Sequence, residues 1–127
     1  MFEDAEVISR YTREQAINDG VLVDVTSAAK RHGLTIATAL TSAAWHKAVA
    51  WDQGGGQSVE ARLDDVLMLA VLNGRANSNS SELIFLVGVV PNVEDNTGEA
   101  ETIELKMSIS GGDNGEPVVT IMLPDED

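Results

Sequence analysis

The chain has 127 residues, 43% of them hydrophobic and 23% charged, a balance typical of one folded domain rather than of a disordered chain. Its 21 acidic and 8 basic residues give a net charge of -13. That charge argues against direct binding to nucleic acid or to an anionic membrane, because both require a basic surface. The absence of cysteine excludes disulfides, thiolate zinc sites and cysteine nucleophiles.

The beginning of the sequence bears on where the protein acts. Glu3, Asp4 and Glu6 stand where a secretory signal would carry basic residues followed by an apolar run. The longest clean apolar run, residues 83–90, is far shorter than the roughly 20 residues that a membrane-spanning helix needs. We therefore expect a cytoplasmic protein with no membrane partner.

The part up to about residue 75 is predicted to be mainly helical. Thr12 and Gln15 have the spacing of a capping box, which starts a helix that should end near Asn18. Residues 21–25 are short and β-branched, which predicts a strand, and a brief helix through Arg31 should follow.

Two longer helices are expected next. One should begin between residues 35 and 38 and run to about residue 51, because one stripe at helical spacing contains Ala37, Leu40, Ala44, Ala48 and Trp51. The second should cover about residues 59–73, with Ser58 at its N-cap, although the apolar run at residues 66–72 also fits a strand.

The last third of the chain predicts a three-stranded β-meander over about residues 82–123. Residues 83–90 are apolar on both faces, which predicts a well-covered, central strand. Apolar and polar side chains alternate over residues 102–109, and the glycine-rich segment 111–115 predicts a hairpin before the last strand. We thus predict a single α+β domain over residues 1–127, with three to four helices on one face of a small antiparallel sheet and an acidic tail at residues 124–127.

The acidic residues are unevenly distributed. Residues 1–75 hold 10 acids and 7 bases, whereas residues 76–127 hold 11 acids and a single base, Lys106. Charged turns can keep a protein soluble and its sheet edges apart, and acidic surfaces are also common in high-salt environments, although those would spread acids over the whole chain. A third interpretation is a docking surface for a basic partner, whose candidate residues are Glu94, Asp95, Glu99, Glu101 and Glu104.

The sharpest form of the docking interpretation is mimicry of nucleic acid. Residues on one face of a strand repeat about every 6.8 Å, close to the roughly 7 Å between phosphates along one DNA strand. Of the candidate acids, Glu104 clearly occupies a regular outward strand position, and the others are predicted to lie in turns.

Residues that would support catalysis or metal binding are few. His32, at the end of a short helix, and His46, on the side of its helix away from the apolar stripe, are expected to have structural or exposed roles. Neither histidine lies in a zinc motif such as HExxH. The acidic turns at residues 95–99 and 113–116 lack the twelve-residue pattern of a calcium loop. We therefore predict no enzymatic activity, no catalytic residue, no metal and no cofactor.

A glycine-rich loop precedes the helix capped by Ser58. Gly54, Gly55 and Gly56 do not belong to a complete phosphate-binding motif, because the lysine and the following serine or threonine of a P-loop are missing. Asp52 and Glu60 flank the loop and would repel phosphate, so a flexible linker is predicted.

Two segments resemble a known family. Residues 8–25 (ISRYTREQAINDGVLVDV) and residues 112–124 (GDNGEPVVTIMLP) flank an alanine- and tryptophan-containing helix and an apolar strand. In this order they resemble a family of small, acidic, uncharacterised proteins carried by bacterial plasmids, phages and integrated elements. The resemblance spans nearly the whole chain, but that family has no assigned activity or catalytic residues that could be carried over to this sequence. The resemblance does imply a context, since such genes often lie beside anti-restriction and other counter-defence genes.

Together these observations predict an accessory protein of a mobile element that acts by binding another protein. In the favoured form, the acidic meander docks on the basic nucleic-acid channel of a host defence complex and inhibits it. One alternative is a hydrolase that uses His46 with a nearby carboxylate. Another is a non-inhibitory scaffold or helper in plasmid or phage biology that uses Tyr11, Trp45 or Trp51 as interface anchors.

Overall fold

The computed structural model describes residues 11–126, and within that range it contains four helices and one five-stranded sheet. The helices are α1 (Arg13–Asn18), α2 (Thr26–Arg31), α3 (Ser42–Ala48) and α4 (Val59–Ala76). The strands are β1 (Leu22–Asp24), β2 (Ala37–Thr41), β3 (Glu82–Val89), β4 (Glu101–Gly111) and β5 (Pro117–Met122). The predicted α+β class is confirmed. Outside the described residues lie Glu3, Asp4, Glu6 and the last residue of the predicted acidic tail, Asp127.

The strands are arranged in the order β1-β2-β5-β4-β3. β3 pairs antiparallel with β4, and β4 pairs antiparallel with β5, so the predicted C-terminal meander is confirmed. The sheet as a whole is mixed rather than antiparallel, because β2 runs parallel to β5. The short strand β1 completes the other side by pairing antiparallel with β2.

The helix predicted over residues 35–51 is wrong in its first half, because Ala37–Thr41 forms β2 and α3 begins directly after it. Leu40 is fully buried in the sheet, where β1 and β5 supply backbone partners on both sides. Thr41 then caps α3, since its Oγ1 accepts a hydrogen bond from the backbone N–H of Ala44 at 3.1 Å. A short apolar run with threonines fits a strand as well as a helix, so its periodicity did not separate the two.

The prediction that residues 83–90 form a covered, central strand is also wrong, because β3 is the outermost strand of the sheet. Phe85 and Val87 point into the core, but Ile84 and Leu86, on the other face, are 46% and 58% exposed. An apolar run shows that a strand can be buried on both faces. It does not show whether the fold supplies a second layer to cover it.

Three helices cover one face of the sheet. The core there is formed by Leu40, Leu105 and Ile121 from the strands and by small side chains of α2 and α3, with Val66 and Leu67 of α4. Helix α1 lies by the opposite face, where the guanidinium Nη1 of Arg13 donates to Thr120 Oγ1 at 2.8 Å. On β4 the predicted alternation holds for Leu105 and Met107, which are buried, whereas Ile109 is 41% exposed near the end of the strand.

Tyr11 provides a test of the packing around α1. Its hydroxyl donates to Asp19 Oδ2 at 2.8 Å, and this hydrogen bond to a carboxylate raises the pKa of Tyr11 above its ordinary value of 10.0. Because the folded state stabilises the neutral phenol, the stabilisation is fully present below the ordinary pKa of Tyr11 and is lost as the pH rises through the raised pKa. Tyr11 is the only tyrosine of the chain, so tyrosinate absorbance reports this group alone.

We expect the absorbance midpoint of the folded protein to lie above that of the chain unfolded in denaturant. The variant Asp19→Ala should move the midpoint of the folded protein down towards the unfolded value. Equal midpoints for the wild type and Asp19→Ala would show that the hydrogen bond is not formed in solution.

Candidate functional site

The acidic residues singled out in the sequence lie mainly on the connection between β3 and β4. We call Glu94, Asp95, Glu99 and Glu101 the acidic end; all four side chains are exposed. Three of them, Asp95, Glu99 and Glu101, line one shallow concavity of about 340 Å³. The structure therefore brings together Asp95 and Glu99 of the connection with Glu101, which was predicted to lie in the turn and is the first residue of β4.

The shape of this loop follows from one asparagine and one glycine. Asn96 donates through Nδ2 to the carbonyl of Val93 at 2.8 Å, and its Oδ1 accepts from the backbone N–H of Gly98 at 3.0 Å. Gly98 has a φ of 81°, a conformation that most side chains disfavour. These local bonds make an Asx-type turn that fixes the backbone on either side of it, and so position Asp95 and Glu99.

Glu104 does not join the acidic end. It is exposed, but its strand position places it on the face opposite Glu101, beside Leu86 of β3. The five predicted acids therefore divide into a cluster of four at one end of the meander and a single glutamate on the open face of the sheet.

Two acids that the sequence analysis did not assign to this site lie next to it. The backbone N–H of Asp52 donates to Asn92 Oδ1 at 3.3 Å, which holds the loop after α3 against the loop after β3. Asp65, on α4, lines a cavity of about 220 Å³ together with Ala100 and residues 87–90. Both side chains are exposed. Asp52 and Asp65 are tens of residues from the acidic end in the sequence. No local pattern therefore indicated that they lie beside it in the fold.

A buried arginine contacts the start of the connection that carries most of the acidic end. Arg62 is only 5% exposed, and its Nε donates to the carbonyl of Val49 at 3.0 Å while Nη1 donates to the carbonyl of Val90 at 2.9 Å. Nη1 also donates to Gln57 Oε1 at 3.2 Å, and Cζ lies 4.9 Å from the centroid of the Trp51 ring. Burial lowers the pKa of Arg62.

Arg62 therefore joins three segments rather than neutralising the acids. Its Nη2 is buried and has no hydrogen-bond acceptor among residues 11–126. In the same part of the chain, no salt bridge joins a residue of the acidic end to a lysine or an arginine. The negative charge of the acidic end is thus not cancelled by described neighbours.

Acids elsewhere in the meander have structural roles. Asp113, in the hairpin between β4 and β5, caps α1 by accepting from the backbone N–H groups of Arg13 at 2.8 Å and Glu14 at 3.1 Å. In the predicted acidic tail, Glu126 Oε1 accepts from Thr41 Oγ1 at 2.7 Å. These contacts bind the hairpin and the tail to the rest of the fold. The carboxylates of Asp113 and Glu126 therefore accept hydrogen bonds within the protein.

The two histidines differ in their surroundings. His32 Nε2 lies 3.0 Å from Asp64 Oδ1, which links the end of α2 to α4, and Arg31 lies 3.7 Å from the same oxygen. His46 is exposed on α3, and in the described part of the chain it has no hydrogen bond or ion pair with a carboxylate. The arrangement required by a His46 hydrolase is therefore not found among residues 11–126.

The glycine loop and the aromatic residues also have defined places. Trp51 Nε1 donates to the carbonyl of Gly54 at 2.7 Å, so the start of this loop is tied to the end of the α3 segment. Trp45 packs against the core, and both tryptophans are half-buried, whereas Tyr11 is 56% exposed.

Metal ligation and membrane crossing concern groups of side chains and whole helices. Among residues 11–126, no group of three or more histidine or carboxylate side chains is placed to hold a metal ion. None of the helices described in this range combines the length and apolar character needed to cross a membrane.

Comparison with known proteins places the chain in a family. The model described as "Family of unknown function (DUF6573)" matches residues 1–127. The chain belongs to the DUF6573 family. No curated protein and no solved structure gives a significant match to it. The resemblance to an uncharacterised family is therefore confirmed, and carriage of this DUF6573 member by plasmids or phages stays a prediction.

Proposed function

We propose that this DUF6573 protein works by binding a basic surface of another protein through its acidic end. The observation that carries the proposal is that Asp95, Glu99 and Glu101 share one exposed concavity without a basic partner among the described residues. An arginine or lysine side chain of a partner would find several carboxylates there, and charge-assisted hydrogen bonds to carboxylates are stronger than neutral ones.

The distribution of charge supports a partner that is protein rather than nucleic acid. With a net charge of -13, the molecule repels phosphate at long range and attracts a basic surface. Such attraction mainly increases the rate of association and fixes the orientation of the complex. The additional carboxylates of Asp52 and Asp65 extend the negative surface beside the acidic end.

The favoured form of this function is inhibition of a nucleic-acid-binding complex of the host by a protein of a mobile element. A partner whose basic channel is occupied by the acidic end would be unable to bind nucleic acid there. Because Glu104 lies on the opposite face from Glu101, the acids do not form one regular row. The geometry therefore favours an inhibitor that competes with nucleic acid through its negative charge. It does not favour one that reproduces the regular spacing of DNA phosphates.

Affinity capture from the native host tests the proposal with three baits. The first is the wild type, and the second is the double variant Asp95→Asn/Glu99→Gln. The third, Glu14→Gln/Glu116→Gln, carries the same change of net charge but alters exposed acids away from the loop after β3, because Glu14 adjoins the β4–β5 hairpin and Glu116 lies in it. Mass spectrometry then identifies the proteins recovered at low and at high salt.

We expect a partner that the wild type and the control variant recover at low salt, and that Asp95→Asn/Glu99→Gln does not. High salt should release this partner from the wild type, because exposed charges are screened. A partner recovered equally by all three baits, or held equally at both salt concentrations, would contradict binding through the acidic end. For the inhibitory form, adding the wild type should displace labelled nucleic acid from the purified partner.

A further inference from the structure

The outer edge of β3 has hydrogen-bonding groups that the described part of the chain leaves unpaired. The backbone N–H of Ile109 donates to the carbonyl of Ser81 at 2.7 Å, which identifies these opposed residues as a hydrogen-bonded pair. Since hydrogen-bonded and non-hydrogen-bonded pairs alternate along antiparallel strands, the odd-numbered residues of β3 bond to β4. The even-numbered residues turn their N–H and C=O groups outwards; they are Glu82, Ile84, Leu86 and Gly88.

This edge lacks the features that usually protect an outer strand. β3 has eight residues and contains no lysine, arginine or proline, and Glu82, at its first position, is its one charged residue. Ile84 and Leu86 expose about half of their side chains on the same face. The strand at the other side of the sheet, β1, has three residues and ends with the exposed Asp24. The two edges therefore differ in length, charge and apolar character.

We propose that a second copy of this chain covers the edge, with the β3 strands of the two subunits paired antiparallel about a twofold axis at Phe85. In this register the outward-facing groups of Ile84 pair with those of the partner's Leu86, and the reverse pair is formed by symmetry. The exposed apolar side chains then meet across the interface. Glu82 lies opposite the partner's Gly88, so no like charges face each other along the paired strands.

The distribution of charge favours antiparallel over parallel pairing of the two β3 strands. The acidic end follows β3, so antiparallel pairing places it at opposite ends of the interface in the two subunits. Each acidic end then lies towards the partner's residues 77–81, a segment with no charged residue. Parallel pairing would bring the two acidic ends together. The twofold arrangement also closes the assembly, because it uses the same edge of both subunits.

Analytical ultracentrifugation of the full chain over a range of protein and salt concentrations tests this proposal. We expect a dimer that becomes tighter as salt rises, since salt screens the repulsion between two subunits of net charge -13. Binding through the acidic end has the opposite salt dependence. Either inference can therefore fail without the other.

The variant Leu86→Lys places a charge in the proposed interface at a position that is already exposed, so the fold should persist, as circular dichroism would check. We expect its dissociation constant to be at least about tenfold higher than that of the wild type, because a lysine would replace the leucine that meets the partner's Ile84 and, even beside Glu104 of its own subunit, would have to lose water on pairing. The matched control Leu72→Lys alters an equally exposed leucine of α4 and should dimerise like the wild type. A wild type that stays monomeric at every concentration and salt would overturn the proposal, as would a Leu86→Lys protein that dimerises normally.

Discussion

Replacing Arg62 by alanine is expected to lower the free energy of unfolding by about 3–4 kcal/mol, because two buried carbonyls would lose their donors and the Trp51 ring its neighbour. The carbonyls are those of Val49, at the end of α3, and Val90, directly after β3. Leaving a buried acceptor unsatisfied costs about 1–3 kcal/mol, and loss of the large side chain adds a packing term. Chemical denaturation followed by tryptophan fluorescence measures the change.

Two further variants separate the causes of the Arg62 effect. Arg62→Lys keeps the charge and most of the apolar stem but lacks the forked guanidinium, so we expect it to recover only part of the lost stability. Arg31→Ala removes an exposed arginine whose Nη2 lies 3.7 Å from Asp64 Oδ1, and should change stability by less than about 1 kcal/mol. A free energy for Arg62→Ala within about 1 kcal/mol of the wild type would show that these hydrogen bonds contribute little.

The same arginine connects stability to the proposed function. Val90 directly precedes the loop that carries the acidic end, and Asp52, which follows Trp51, bonds to Asn92 of that loop. Arg62 thus anchors both segments from which the acidic end and its neighbours project. Without this anchor, the carboxylates would have to be ordered at the moment of binding, which costs conformational entropy.

Neutralising two carboxylates of the acidic end is expected to produce the largest effect on binding. For the partner recovered by capture, Asp95→Asn/Glu99→Gln should reduce the association rate by about tenfold at low salt, because long-range attraction increases such rates by one to three orders of magnitude. Surface plasmon resonance with the immobilised partner measures this rate.

The control Glu14→Gln/Glu116→Gln distinguishes the location of charge from its amount. Both double variants remove two negative charges, but the control removes them away from the loop that joins β3 to β4. We expect its association rate to fall by less than about threefold, since the attraction between two charges weakens with the distance that separates them. Equal losses for the two variants would indicate that net charge alone attracts the partner.

Local sequence patterns predicted those elements whose signals are themselves local. The capping box of Thr12 and Gln15 is present at α1, with both of its hydrogen bonds. Ser58 caps α4 as its position predicts, and the alternation in β4 gives the correct buried residues at Leu105 and Met107. In each case the hydrogen-bond partner or the repeating contact lies within a few residues, so the sequence contains the necessary information.

Features that depend on distant partners were not predictable in the same way. Ala37–Thr41 becomes β2 because β1 and β5 lie on either side of it, and the latter comes about 80 residues later in the chain. The edge position of β3 likewise depends on the order of the strands. A pattern of apolar residues records that a segment can be buried, but not which neighbours the fold provides.

The candidate site shows the same division. Glu94, Asp95, Glu99 and Glu101 were identified by their local density, and the structure places three of them around one concavity. Glu104 was grouped with these four acids in the sequence, but in the structure it lies on the other face of the sheet and does not belong to the acidic end. The site residues from α4 and from the loop after α3 had no local signal, because they reach the acidic end only through tertiary packing; they are Asp52, Arg62 and Asp65.

The most direct test of docking through the acidic end is the association rate of the captured partner with the wild type and with Asp95→Asn/Glu99→Gln, measured over a series of salt concentrations. We predict a rate that falls steeply with salt for the wild type and less steeply for the variant, with the two curves converging at high salt as the charges are screened. Two curves of equal slope, or a wild-type rate independent of salt, would contradict this mode of docking.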